Sequence, residues 1–173
     1  QYGSNFDKAI DRLAKDKDFD SKQDYLNSLR DRSNNRMAAL TSGGKDSNAA
    51  LYRVQRRNNE ISCLVNLSSD NTESYMFDVK GEKGIEAQAE KLGIPLITQH
   101  TDGEKEKELE DLETGLQRAI NEYDVEGVVA GALASTYQRD RVDSVAEKLG
   151  LKVFTPLWQE NQENYMRWLV RKG

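Results

Sequence analysis

The chain has 173 residues, of which 36% are hydrophobic and 32% are charged, and its formal net charge is −5. No apolar run approaches the ~20 residues that a membrane-spanning helix needs, and no basic segment followed by an apolar one marks a signal peptide. These features exclude a membrane protein and predict a cytoplasmic one. A single cysteine and a single histidine exclude a disulfide framework, a C-x-x-C site and a His-rich metal site. Cys63 lies in the apolar run ISCLV and is predicted to be buried.

The first 36 residues differ from the rest of the chain in charge and in pattern. They hold eight Lys or Arg and seven Asp, whereas the remainder holds 17 basic and 23 acidic residues. Apolar residues at helical spacing in FDKAIDRLAKDKDF and DSKQDYLNSLRDR predict a helical or partly disordered N-terminal extension over 1–36. The acidic remainder, 37–173, is a poor electrostatic platform for nucleic acid, so no nucleic-acid partner is expected.

From Met37 onward, short apolar runs alternate with longer amphipathic segments. Strands are predicted at 37–41, 60–67, 94–98, 125–133 and 151–158. Helices are predicted from the loop after the first strand through about Arg57, at 84–92, 103–123 and 137–149, and from Glu163 onward, with Gly93 and Gly150 as C-caps. This alternation predicts an α/β fold, a three-layer α/β/α sandwich around a five-stranded, parallel, doubly wound sheet.

The stretch LTSGGKDSNAALY joins the first predicted strand to the first predicted helix, where a doubly wound sheet binds its ligands. Gly43 and Gly44 allow the backbone to turn tightly and to direct N–H groups at an anion. The helix N-terminus adds a partial positive charge at the same place. Ser42 and Ser47 supply hydroxyl donors, and Lys45 supplies a full positive charge. The loop is therefore predicted to bind the phosphates of ATP rather than only to join a strand to a helix.

Asp46 is unexpected in a phosphate site, because its charge repels the ligand. Two interpretations are open: Asp46 caps the helix with its side chain turned away from the phosphates, or it holds a Mg²⁺ ion that bridges to them. The spacing differs from that of a Walker A loop. S-G-G-x-D-S after a first strand resembles the PP-loop ATP pyrophosphatases, which have the adenine nucleotide alpha hydrolase-like (HUP) fold. The resemblance implies that ATP is cleaved between its α and β phosphates, which adenylates an oxygen of the substrate and releases pyrophosphate.

Longer segments narrow this resemblance. From about Met37 to Tyr165 the chain resembles the archaeal and eukaryotic diphthine–ammonia ligases, through the segments TESYMF, GEKEKELEDL, VAGALASTYQRDRV and LGLKVFTPLW. The resemblance implies an ATP-dependent ligase that activates the diphthine carboxylate of translation elongation factor 2, with Mg²⁺ as the expected metal. Ammonium then supplies the nitrogen of the amide, which gives diphthamide, AMP and pyrophosphate.

Four residues at the end of the fourth predicted strand and in the segment that follows it are candidates for the nucleotide site. Gly131 and Ala132 are small, and they are expected to leave room for a nucleotide at the edge of the sheet. Arg139 and Arg141 are expected to neutralise the negative charge that grows on the leaving pyrophosphate. The alternative for the two arginines is a surface pair on an amphipathic helix.

Three further candidates lie in other segments. Met76 and Phe77 are expected to line the nucleotide or substrate pocket, or else to belong to the core. The resemblance suggests a site role for Glu104, whereas its spacing of four residues from Glu108 favours a solvated helix face. The predicted catalytic set is Lys45, Asp46, Glu104, Arg139 and Arg141.

The sequence ends at Gly173, before the second subdomain that the family carries. The chain is therefore expected to hold the ATP half, with the substrate half absent, shortened or supplied by another polypeptide. A non-catalytic ATP-binding module of the same fold and a PP-loop tRNA-modifying enzyme are the alternatives. One buried cysteine and an acidic body disfavour the latter, which needs a sulfur-carrying thiol and a basic surface. No membrane partner is expected, and the sequence leaves a homodimer open.

Overall fold

The computed structural model describes residues 8, 10–12, 35–56, 59–69, 82–102, 107–131 and 136–172. The chain divides into two compact units, 1–34 and 35–173. In the first unit, the described residues are helical. The rest of the predicted N-terminal extension lies outside the described residues. The second unit carries the α/β fold.

The described part of the second unit is a parallel sheet with helices between its strands. Strands β1 to β5 are Arg36–Leu40, Glu60–Ser69, Leu96–Thr101, Gly127–Val129 and Lys152–Phe154. Helices α1 to α5 are Lys45–Gln55, Glu82–Leu92, Lys107–Tyr123, Thr136–Leu149 and Gln162–Lys172. The strand order is β3-β2-β1-β4-β5, and each neighbouring pair is parallel. The predicted doubly wound sheet is confirmed.

The pleat of β1 shows how the sheet divides the core into two layers. Ala38 and Leu40 pack on one face with the apolar side chains of α3 and α4. Met37 and Ala39 point to the opposite face and pack with those of α1, α2 and α5. Because successive side chains of a strand alternate between faces, the apolar run at 37–40 requires cover on both sides of the sheet. The helices on the two faces provide that cover.

Glycine and proline set several boundaries. Gly93 and Gly150 adopt positive φ values of 66° and 70° and close α2 and α4, which confirms both as C-caps. The third strand was predicted from Ile94 but begins after Pro95, because the Ile94 N–H still bonds to a carbonyl of α2. The fifth strand ends before Pro156 instead of continuing to 158, since proline has no N–H for the ladder. In the described part of the chain, no helix is both long and apolar enough to cross a membrane.

Candidate functional site

The glycine loop lies where the direction of strand addition reverses. From β1 the chain passes through α1 to β2 on one side, while β4 pairs with β1 on the other. In such sheets the crevice between these two connections is the usual place for a ligand. Gly44 is the N-cap of α1, and it has no side chain with which to bond the first-turn N–H groups. Those N–H groups are therefore suited to bind an anion.

Hydrogen bonds within the loop fix its shape. The Gly43 N–H donates to Thr41 Oγ1 at 3.0 Å, and the Ser42 N–H donates to Ser47 Oγ at 3.4 Å. Gly43 has a φ of +74°, which residues with a Cβ rarely adopt. The first helical bond of α1 runs from the Asn48 N–H to the Gly44 carbonyl at 3.2 Å. The predicted phosphate loop thus has a turn of defined conformation at the carboxyl end of β1.

Gly131 follows β4 and meets the beginning of α1. A Cβ atom at this position would lie 2.8 Å from the carbonyl carbon and oxygen of Asp46 and from the Ser47 nitrogen. These are backbone atoms, so a side chain here requires the loop or the end of β4 to move. The sequence had suggested that Gly131 leaves room for a nucleotide. In the structure the neighbouring space is filled by the loop backbone, and any nucleotide contact of Gly131 stays a prediction.

The Asp46 carboxylate is bonded from two sides. Lys45 Nζ lies 2.7 Å from Asp46 Oδ1, and the Tyr165 hydroxyl donates to the same oxygen at 2.7 Å. Tyr165 is only 1% exposed. Burial, and then its hydrogen bond to Asp46, raise the pKa of the Tyr165 hydroxyl above its ordinary value, so Tyr165 is the donor at neutral pH.

This geometry decides one of the two interpretations of Asp46. The capping interpretation is wrong, because Gly44 is the N-cap and Asp46 lies in the first turn with its carboxylate bonded to Tyr165. The Mg²⁺ interpretation stays a prediction. Among the described residues, no group of three or more His, Cys, Asp or Glu is placed to hold a metal ion. A Mg²⁺ ion here would use Asp46 together with phosphate and water oxygens, a ligand set that this ion accepts.

The sequence reasoning missed Tyr165 and the contacts that hold α5 against α1. Arg53 of α1 bonds both carboxylate oxygens of Glu160, at 2.5 and 2.9 Å, and also donates to the Pro156 carbonyl. The Arg53 guanidinium lies 4.4 Å from the ring centroid of Trp168. The Trp168 and Tyr165 rings are stacked, with their centroids 6.3 Å apart. The only signal in the sequence was the spacing of Tyr165 and Trp168, which places them on one face of a helix.

Comparison with known proteins assigns the second unit to a family. Residues 35–153 match the family model described as the diphthamide synthase N-terminal domain. The chain belongs to this family. The matched range includes the glycine loop and strands β1 to β4 entirely. The resemblance to diphthine–ammonia ligases is thereby confirmed at the level of the family.

Two curated relatives agree with this assignment. The chain is 35% identical over 153 residues to the diphthine–ammonia ligase of Rattus norvegicus, covering 78% of this chain and 57% of that protein. It is 34% identical to the diphthine–ammonia ligase of Schizosaccharomyces pombe, covering 80% of this chain and 25% of that protein. A solved structure described as a predicted subunit of tRNA methyltransferase from Methanocaldococcus jannaschii matches with 16% identity and a TM-score of 0.48, covering 78% of this chain and 74% of that one. The chain thus spans little more than half the length of the rat relative.

The two arginines predicted to neutralise the charge of the leaving pyrophosphate lie on α4. Arg139 Nε is 3.3 Å from Asp143 Oδ2, and its guanidinium lies 4.7 Å from the Trp158 ring centroid. Arg141 donates to the Tyr137 hydroxyl. Two residues apart on a helix are separated by about 200° around its axis, so the two side chains leave α4 in different directions. Their action on phosphate stays a prediction.

Other predicted residues of the family site lie outside the described residues. These are Met76, Phe77, Glu104 and Ala132. The expected solvated face for Glu104 and Glu108 is wrong at Glu108, which is 0% exposed. Glu108 lies one turn before Leu112 on the buried stripe of α3, and this placement explains its burial.

Cys63 is buried as predicted. It lies in β2 with 0% exposure, within the core layer that α3 and α4 cover. Burial, and to a lesser degree the nearby Glu122 carboxylate, raise the pKa of the Cys63 thiol to about 12. A thiol that stays protonated and enclosed at neutral pH is unsuited to carry a persulfide sulfur. This observation counts against the tRNA-thiolating alternative for this family member.

Proposed function

We propose that the second unit binds ATP through residues 42–47 and is the nucleotide-binding part of an amide-forming ligase. The observation that carries the proposal is the position of S-G-G-K-D-S. It begins α1 at the switch point of the sheet, in a chain that matches the diphthamide synthase N-terminal domain. The curated relatives are named diphthine–ammonia ligase. Their name supports diphthine and ammonia as the substrates proposed for this chain.

The loop offers the groups that a triphosphate needs. The first-turn N–H groups of α1 and the partial positive charge of the helix N-terminus favour an anion. The Lys45 side chain is 58% exposed at the same turn, and its flexible aliphatic part lets the ammonium group move. Mg²⁺, held through Asp46, supplies further neutralisation of phosphate charge when it is bound.

The proposed reaction has two balanced steps. An oxygen of the diphthine carboxylate on translation elongation factor 2 attacks the α phosphorus of ATP, and the bond to the bridging α–β oxygen breaks. Pyrophosphate leaves with that electron pair, and Lys45 stabilises the charge that grows on it. The nitrogen of ammonia then attacks the acyl carbon, AMP leaves with the C–O bond electrons, and a proton is released. The products are diphthamide, AMP and pyrophosphate.

The test is a product analysis with the chain, ATP, Mg²⁺, ammonium and diphthine-bearing elongation factor 2. We expect AMP and pyrophosphate in equal amounts, with the amide forming on the elongation factor. ADP and phosphate would contradict cleavage between the α and β phosphates. ATP binding with no AMP under these conditions would instead favour the non-catalytic ATP-binding module.

A matched variant distinguishes the loop from a contaminating ATPase. Lys45→Ala removes the positive charge of the loop, whereas Lys148→Ala removes a similarly exposed lysine on α4 that pairs with Glu113. AMP formation is expected to fall in Lys45→Ala and to persist in Lys148→Ala. Equal activity in both variants would place the reaction elsewhere.

A further inference from the structure

We propose that Tyr165 is a positioning residue for the phosphate loop. Its hydroxyl, supplied by α5, fixes the Asp46 carboxylate at the beginning of α1 and so sets how strongly the loop binds a triphosphate. This inference rests on the proposed ATP-binding function. It adds a residue of the C-terminal helix to a site otherwise built from the β1–α1 loop.

The contact joins two parts of the chain that are 119 residues apart. The Tyr165 oxygen lies 2.7 Å from Asp46 Oδ1, a normal distance for a hydrogen bond from a hydroxyl to a carboxylate. Tyr165 is 1% exposed, while the Asp46 side chain is 34% exposed. The donor is therefore fixed in the core, and the acceptor stands at the rim of the predicted phosphate site.

Asp46 presents an electrostatic problem that this contact reduces. A carboxylate in the first turn of α1 repels a bound triphosphate and also holds Lys45, whose Nζ lies 2.7 Å from Oδ1. The Tyr165 donor stabilises the carboxylate in place, so Asp46 keeps a partner when Lys45 turns to a phosphate oxygen. Without the hydroxyl, Asp46 Oδ1 would lose one of its two described donors, and the transfer of Lys45 from Asp46 to phosphate would become less favourable.

The position of Tyr165 depends in turn on how α5 packs against α1. The Arg53–Glu160 pair is 20% and 24% exposed and joins α1 to the turn that precedes α5. The Trp168 ring contacts both the Arg53 guanidinium and the Tyr165 ring. These contacts hold α5 beside α1, where the Tyr165 hydroxyl bonds to Asp46 Oδ1.

The experiment measures ATP affinity by calorimetry, with EDTA and separately with Mg²⁺, for the original chain and for single and double variants. Tyr165→Phe removes the hydroxyl but keeps the ring. Tyr52→Phe is the matched control, since its ring also packs on Trp168, at 5.8 Å, while its hydroxyl faces Arg56. We expect Tyr165→Phe to weaken ATP binding about tenfold and Tyr52→Phe to change it less than about twofold.

The same substitution in an Asp46→Asn background separates positioning from a general effect on stability. With a neutral side chain at position 46, Tyr165→Phe is expected to change ATP affinity less than about twofold. An equal loss in both backgrounds would overturn the proposal, as would a Tyr165→Phe chain that binds like Tyr52→Phe. If the original chain binds no ATP, the proposed function itself fails, which is a different result.

A second variant covers the case in which Tyr165→Phe melts below the assay temperature. Glu160→Gln leaves Tyr165 and Asp46 unchanged but weakens the ion pair that fixes α5. Glu160→Gln is expected to weaken ATP binding about threefold. In the double variant with Asp46→Asn, it is expected to have no such effect. Unchanged affinity in Glu160→Gln would overturn the proposal in that case.

Discussion

Substitution of Gly131 by alanine tests the packing of the site most sharply. The new Cβ would lie 2.8 Å from three backbone atoms of Asp46 and Ser47, whereas ordinary contact begins near 3.4 Å. The end of β4 or the beginning of α1 must therefore shift by roughly 0.6 Å, and backbone atoms in a packed layer resist such a shift. Overpacking of this kind costs about 1–3 kcal/mol. For a chain of this size, that cost lowers the melting temperature by roughly 2 to 12 °C.

Gly84→Ala is the matched control for the measurement. A Cβ at Gly84 meets no atom within 4 Å, and the residue lies inside α2. Alanine is preferred to glycine within a helix by ~1 kcal/mol, so this variant is expected to melt roughly 2 to 4 °C higher. Thermal unfolding followed by circular dichroism compares the two variants directly.

ATP binding to the same Gly131→Ala chain completes the test. Because the shift displaces the loop, we expect weaker ATP binding together with lower stability. Normal stability with normal ATP binding would refute the reasoning. Normal stability with lost binding would show that Gly131 makes room for the nucleotide, as the sequence first suggested, and not for the loop backbone.

Three further predictions concern the loop and the core. Gly43→Ala is expected to lower the melting temperature in the same unfolding assay, because its φ of +74° and a Cβ 3.1 Å from Ile85 Cγ1 both oppose a side chain. Lys45→Ala is expected to weaken ATP binding about tenfold, measured by calorimetry. Asp46→Ala is expected mainly to lower Mg²⁺-dependent AMP formation, measured by product analysis. Normal ATP binding and normal AMP formation in both variants would contradict the loop's role. Cys63 is expected to resist an aromatic disulfide reagent at pH 8 until the chain unfolds, and fast labelling of the folded chain would contradict its burial. Since the pKa of Cys63 rises from 9.0 to about 12 on folding, its contribution to stability is complete below pH 9 and is lost as the pH rises towards 12.

The sequence was sufficient for the order of elements because its signals are local. Apolar runs separated by amphipathic segments produced the alternation of strands and helices, and Gly93 and Gly150 closed two helices where expected. The ends of strands were less accurate. Ile94 and Pro156 were included in two of the predicted strands, but the Ile94 N–H still bonds to α2 and Pro156 has no N–H to extend the ladder.

The loop of the candidate site was also recognisable from local composition, whereas the partner of Asp46 was not. Tyr165 reaches Asp46 only because α5 packs beside α1, and that packing depends on contacts such as Arg53–Glu160 between residues 107 positions apart. No short-range pattern encodes such a pairing. Gly131 is an intermediate case, because its small size is evident in the sequence but its contact with the backbone of Asp46 and Ser47 is defined by the tertiary structure.

The central claim is that a triphosphate binds to the N–H groups at the beginning of α1, and amide chemical shifts measured during an ATP titration test it most directly. The account predicts that the largest shifts fall on residues 42–47 and saturate below millimolar nucleotide. Unchanged shifts on this loop at millimolar ATP, or saturable shifts confined to another part of the sheet, would contradict the account.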